Sequence, residues 1–194
     1  MSSAYRYLFP TLWFAWVAYW WIAARSAKPT ERRESPGSRL LHIVPLTLAA
    51  WLLWAQHAPG PWLNQRLLPW APWEFWVGAL LTALGLLFTV WARVHLGRNW
   101  SGTVTIKQDH ELVDTGPYAL VRHPIYTGLL VAFIGSALPR GDWRGVVAVL
   151  IAWAALWRKL KLEERWMAER FGERYDAYRQ RVPALIPGWR RSRS

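Results

Sequence analysis

DTGPYALVRHPIYTGLLVAFIGSAL, from Asp114 to Leu138, begins as a polar turn and ends as an apolar run of membrane grade. Arg122, His123 and Tyr126 stand where that run starts, and Pro124 occupies what reads as the first helical turn. Proline is at home there, because the first N–H groups of a helix have no intrahelical acceptor. Ionisable side chains at the mouth of a lipid-grade helix are costly, and function is the default reading for them. Each residue alone reads better as an interfacial anchor, and it is their coincidence on one face that shifts the balance to function.

Working outward, four further apolar stretches appear: Leu8–Ala24, Leu40–Ala55, Trp73–Ala92 and Val146–Trp157, beside Ile125–Leu138 itself. A spanning helix takes about 20 apolar residues. Trp73–Ala92 meets that length, and flanking tryptophans extend the first two stretches into the interface. Ile125–Leu138 and Val146–Trp157 are joined by Pro139-Arg140-Gly141-Asp142 and read as a helical hairpin over residues 124–157. The segment from Arg158 to Arg181 has the composition of a charged helix, broken at Gly172 and ended by Pro183 and Pro187. The expected architecture is all-α: one polytopic membrane domain over 1–194, with about five transmembrane helices and a cytoplasmic C-terminal helix. Three spans fill 1–93, a cytoplasmic loop fills 94–123, and the tail runs over 158–194.

The composition agrees. Hydrophobic residues make up 53% of the 194-residue chain and charged residues 19%, and the two classes are segregated into blocks. The 17 tryptophans suit a bilayer interface, where an apolar ring carries a polar N–H. The net charge of +12 falls in loops flanking apolar runs, which is a poor fit to nucleic-acid binding. Arg25, Lys28, Arg32, Arg33 and Arg39 lie in the first loop, and Arg66 alone in the second. Arg93, Arg98, Lys107 and Arg122 follow the third stretch. The positive-inside rule then puts the N-terminus outside, with the first loop, the 94–123 segment and the tail in the cytoplasm. With no cysteine, disulfides, thiolate metal sites and cysteine nucleophiles are excluded. No metal site is expected, since His-Glu-x-x-His is absent too.

Two groups of residues then carry a resemblance. Arg122-His123-Pro124-Ile125-Tyr126-Thr127-Gly128 is one. Glu163-Glu164, Phe171-Gly172 with Tyr175 and Tyr178, and Val182-Pro183 with Pro187 form the other. In order and spacing they resemble the isoprenylcysteine carboxyl methyltransferase family, which is related to the membrane phospholipid N-methyltransferases. The resemblance covers Lys107 onward. It implies S-adenosyl-L-methionine as methyl donor, bound in a pocket open to the cytosol, and a lipid-like or prenylated acceptor entering from the bilayer. It implies that His110, Leu112, Val113, Tyr118, Arg122, His123, Tyr126 and Glu164 bind the cofactor. It implies Arg158 and Glu163 as the catalytic pair.

The physics is compatible with those assignments. Arg122 and free N–H groups at a helix N-terminus suit the cofactor's carboxylate, and Glu163 or Glu164 suits its cationic end. Residues five apart on an ideal helix point about 140° from each other, so Arg158 and Glu163 must flank a pocket or sit on a distorted helix. The acceptor stays open between a prenylcysteine-type carboxylate, which leads, and a phospholipid or other amine. A non-catalytic structural membrane protein is the third reading.

Overall fold

The computed structural model describes residues 3–26, 30–55, 59–69, 71–97, 100, 105–107 and 112–188. Its helices are α1 (Ser3–Ala23), α2 (Pro36–Trp54), α3 (Pro72–Leu96), α4 (Pro117–Leu120), α5 (Pro124–Ala137), α6 (Trp143–Phe171) and α7 (Glu173–Arg181). Their ends follow local rules. Proline opens α2, α3 and α5 at the first turn. Ser35 caps α2 by accepting from Ser38 N at 3.2 Å, and Asp142 caps α6 by accepting from Gly145 N at 3.0 Å. Gly172, at φ 52°, ends α6 in a backbone region that side chains disfavour.

All five apolar stretches are helices, as expected of an all-α chain, and two further expectations need correction. One short ribbon is added to the helices: β1 (Thr30–Arg33) pairs antiparallel with β2 (Thr105–Lys107). Backbone groups of the first loop and of the 97–123 segment satisfy each other there. Next, the fifth stretch and the tail are not separate helices. α6 runs unbroken through 29 residues, about 43 Å, which is about 13 Å longer than a hydrocarbon layer of about 30 Å. Last, α5 and α6 are neighbours but not chiefly each other's partners. α5 packs most extensively on α3, and α6 on α2.

Glycine explains the α3–α5 pairing. A Cβ on Gly85 would lie 2.5 Å from Gly128 O, and one on Gly135 would lie 2.5 Å from Thr82 N. The two backbones touch, as small residues permit in membrane helices. Thr82 and Ser136 meet inside this seam at 3.3 Å. Trp13 and Trp16 of α1 donate into it, to Ser136 and Thr89 at 3.0 and 2.6 Å. The outer faces stay apolar: Leu80, Leu84, Leu87 and Trp91 of α3 are all exposed. A surface of that kind calls for an apolar solvent. Among the described helices, α2 and α3 are long and apolar enough to cross a membrane, and α5 is a shorter apolar helix.

The bundle has two ends. At one, the start of α2, the mouth of α5 and the middle of α6 come together, with α7 packed on α6 and β1 just ahead of α2 in the chain. At the other, Arg66, Glu74, Arg140, Asp142 and Arg144 gather around the α5–α6 turn. There Arg140 donates to Asp142 at 2.8 Å and to Leu53 O at 3.0 Å, and Arg144 donates to Ala55 O at 2.9 Å.

Candidate functional site

The mouth of α5 is covered by the segment after α7. Arg122 N donates to Pro183 O at 2.9 Å, His123 N to Ala184 O at 3.1 Å, and Thr127 Oγ1 to Leu185 O at 2.7 Å. Val182–Leu185 is thus a strap across the helix mouth. Arg122 ties it down from the side chain as well, donating to Arg179 O at 3.1 Å and to Val182 O. The same guanidinium donates twice to Glu164 Oε1, through Nε at 3.0 Å and through Nη2. The N–H groups of Arg122 and His123 thus point to the strap, and the Arg122 guanidinium to the end of α7, the strap and Glu164. The strap supplies carbonyls, which the side-chain pattern does not display.

His123 lies between two carboxylates. Its Nδ1 is 3.5 Å from Glu163 Oε2 and its Nε2 is 3.5 Å from Glu164 Oε1. Tyr126 donates its hydroxyl to Glu163, and its ring lies parallel to the imidazole, 5° between planes and 5.4 Å between centroids. Lys159 Nζ sits 5.4 Å from the Tyr126 ring centroid. Burial pulls the His123 pKa down, but hydrogen bonds and charge from Glu163 and Glu164 outweigh it and raise it above the ordinary 6.5. Burial pushes Glu164 up, yet His123 and Arg122 together bring it down to about 2. Glu163 is likewise lowered, against burial, by His123, Lys159 and Tyr126. Both carboxylates are thus favoured in the ionised form and the imidazole in the protonated form, with its Nε2 3.5 Å from Glu164.

Of the other expected residues, Tyr118 is buried and stacks on His95 at 6.4 Å, and its carbonyl accepts from the Tyr178 hydroxyl at 2.7 Å. Burial, then the charge of Glu163, raises its phenol pKa. Leu112 packs with Tyr175, Tyr178 and Val182, which seats the loop against α7. Val113 is half-buried beside it. His110 lies outside the described residues.

Arg158 and Glu163 leave one continuous α6 in different directions. Glu163 turns to α5. Arg158 turns to α2, donating from Nη1 to Ser38 O and from Nη2 to Ser38 Oγ, both at 3.1 Å. Ser38 in turn donates to Glu34 Oε2 at 3.1 Å, and His42 Nε2 is 3.5 Å from Glu34 Oε1. Sequence reasoning missed Glu34, Ser38 and His42. One signal was available: His42 is an ionisable residue inside the apolar stretch Leu40–Ala55.

Chemically, this end can neutralise a cation with carboxylates, offer guanidinium donors to an anion, and keep water away from both. Comparison with known proteins places the arrangement. A family model described as phospholipid methyltransferase matches residues 73–174. The chain is 34% identical over 99 residues to the protein-S-isoprenylcysteine O-methyltransferase of Schizosaccharomyces pombe, covering 50% of this chain and 42% of that one. It is 28% identical over 120 residues to protein-S-isoprenylcysteine O-methyltransferase B of Arabidopsis thaliana, covering 59% and 61%. The chain thus spans about half the length of these curated relatives. In fold it is similar to the eukaryotic intramembrane Ras methyltransferase ICMT, an isoprenylcysteine carboxyl methyltransferase. The TM-score is 0.56 at 23% identity, over 81% of this chain and 55% of that chain.

Proposed function

This chain belongs to the phospholipid methyltransferase family, and from that premise we propose that it methylates a lipid-like acceptor with S-adenosylmethionine, most directly the carboxylate of a prenylcysteine-type molecule. The observation that carries the reading is the buried His123–Glu163–Glu164 cluster at the water-facing end of apolar helices. A polar donor and an apolar acceptor can meet only at such a boundary. The proposed topology has five spans in one membrane domain, with the N-terminus outside and the C-terminus cytoplasmic. Joining of the first loop, the 97–123 segment and the tail at one end of the bundle supports it.

The residues present fit the cofactor. The Glu163 and Glu164 carboxylates can receive the cofactor's cationic end, with His123 set between them at 3.5 Å from each. Glu163, Glu164, His123 and Tyr126 would hold the amino-acid end, and Leu112, Val113 and Tyr118, with His110, the nucleoside end. Arg122 would act through Glu164, bracing it. When bound, S-adenosylmethionine supplies an electrophilic methyl group on a sulfonium centre. An acceptor carboxylate, with a pKa of about 4, is ionised at neutral pH and asks the protein for no general base. The chain's task is to orient that carboxylate and strip its water, which is worth several kcal/mol. Arg158 would hold it.

Incubating detergent-solubilised protein with methyl-labelled S-adenosylmethionine and N-acetyl farnesylcysteine tests this. The expected product is a methyl ester that mild alkali removes. The second reading, an amine acceptor, is favoured by the third carboxylate at Glu34. Label on phosphatidylethanolamine that resists alkali and vanishes at low pH would establish it instead, because an amine must lose its proton first.

A further inference from the structure

We propose that Ser38 and Glu34, at the start of α2, position Arg158 for the anionic group of the acceptor, so that the N-terminal half of the chain completes the acceptor side of the site. The inference rests on the methyltransferase reading above and extends it to residues outside the matched span 73–174.

A free arginine side chain carries about 2 kcal/mol of rotamer entropy and is a poor positioning device until something fixes it. Here one residue takes two of its donors. Ser38 O and Ser38 Oγ both accept from the Arg158 guanidinium at 3.1 Å, across 120 residues of sequence. A hydroxyl has a single proton. Ser38 commits that proton to Glu34 Oε2 at 3.1 Å, which turns its lone pairs toward Arg158. Glu34 is fixed in its turn, with its other oxygen 3.5 Å from His42 Nε2 and its side chain 1% exposed. Glu34, Ser38 and Arg158 are therefore oriented in series.

Stapling two helices does not account for this. A helix N-terminus carries partial positive charge, so a cation there is opposed by the macrodipole. Burying Glu34 to offset it adds a desolvation cost. Nor is the guanidinium closed off: Arg158 is only half-buried, and Ser38 uses two of its five N–H donors. The remaining donors form the fixed fork that suits a carboxylate. The ligand so recognised is an anion at the end of an apolar chain, since α2 continues from Ser38 into exposed Leu40, Leu41 and Val44.

The test measures acceptor KM with N-acetyl farnesylcysteine and, separately, the Kd for S-adenosylhomocysteine. Ser38→Ala should raise the acceptor KM about tenfold, as expected for one hydrogen bond to a charged group, while the Kd stays within about twofold. Ser38→Thr, which restores a hydroxyl, should recover most of the loss. A binding measurement runs beside it: N-acetyl farnesylcysteine should stabilise the wild type against heat more than its neutral alcohol analogue does, and Ser38→Ala should erase that difference. An active Ser38→Ala with unchanged KM overturns the inference. A parallel rise in acceptor KM and cofactor Kd overturns it too, because that is the mark of a staple. If Ser38→Ala does not fold, Ser38→Cys, with its weaker acceptor, is read by the same criteria. A wild type that neither methylates the acid nor is stabilised by it removes the acceptor reading itself. Wild-type turnover with indifferent Ser38 variants removes this inference alone.

Discussion

Arginines reach for α2 at both of its ends, and they do opposite things there. At its C-terminal end Arg140 and Arg144 donate to Leu53 O and Ala55 O, carbonyls that the helix leaves unpaired. The macrodipole favours cations at that end, both arginines are buried, and Asp142 lies between them. Each charge has a structural reason. At the N-terminal end Arg158 sits against the dipole, only half-buried, with a buried Glu34 behind it, and the neighbouring cluster sets Glu163 and Glu164 around one imidazole. Charges that satisfy the helices make a closed end. Charges that the helices do not need make a site. About 22 Å of α2 separates Ser38 from Leu53, so the two can be perturbed independently.

The largest effect should come from the closed end. Asp142→Ala leaves Arg140 and Arg144 without their shared counter-charge and removes the cap of α6. Breaking a buried pair in this way costs about 3–5 kcal/mol. The thermal midpoint in detergent should fall by an amount on the order of 10 °C. S-adenosylhomocysteine affinity of the folded fraction should stay within about twofold. An unchanged midpoint, or cofactor affinity lost at full stability, would abolish the distinction between the ends.

The site end answers with affinity. His123→Ala removes the imidazole between Glu163 and Glu164 and should weaken S-adenosylhomocysteine binding at least tenfold, about 1.4 kcal/mol, by titration calorimetry. Its midpoint should move less than that of Asp142→Ala. Unchanged affinity would take His123 out of the site and leave the buried cluster as a second structural knot.

The two ends also differ in how far the sequence declares them. Arg122, His123, Tyr126, Glu163 and Glu164 announce themselves, because ionisable residues beside lipid-grade runs have few cheap explanations. The five helices are legible for the same reason, since apolar length is a strong signal. The unity of α6 is not. Polarity changes at Arg158, but Leu160, Glu163, Glu164 and Met167 are all good helix formers, so a change of solvent is not a change of backbone. Val182–Leu185 straps the site through its carbonyls, which every residue carries, so no side chain advertises it. The α3–α5 seam was readable as Gly78 with Gly85 and Gly128 with Gly135, pairs seven residues or two helical turns apart, but hydrophobicity alone ranks those positions low. The β1–β2 ribbon joins segments far apart in the chain, and neither carries enough strand-forming residues to stand out alone.

The smallest expected effect is a pH dependence that belongs to one end only. The folded pKa of His123 is raised above its ordinary 6.5 by Glu163 and Glu164, against burial. A raised histidine contributes stability that is complete below 6.5 and is lost as pH climbs through the folded value. Glu164, brought from 4.5 to about 2 by His123 and Arg122 against burial, works in the other direction. Its contribution is complete above 4.5 and lost only as pH falls through about 2. Between pH 4.5 and 6.5 both are present in full, so the wild type should be most stable there and should soften toward pH 9. His123→Gln keeps the shape but cannot take up the proton, and the decline above pH 6.5 should flatten. Asp142→Ala should keep the wild-type slope at its lower midpoint, because the His123 cluster is untouched. Midpoints recorded every half unit from pH 5 to 9 for the three proteins decide it. Equal slopes in the wild type and His123→Gln would mean that the imidazole gains nothing from its two carboxylates, and the contrast between the ends would then rest on geometry alone.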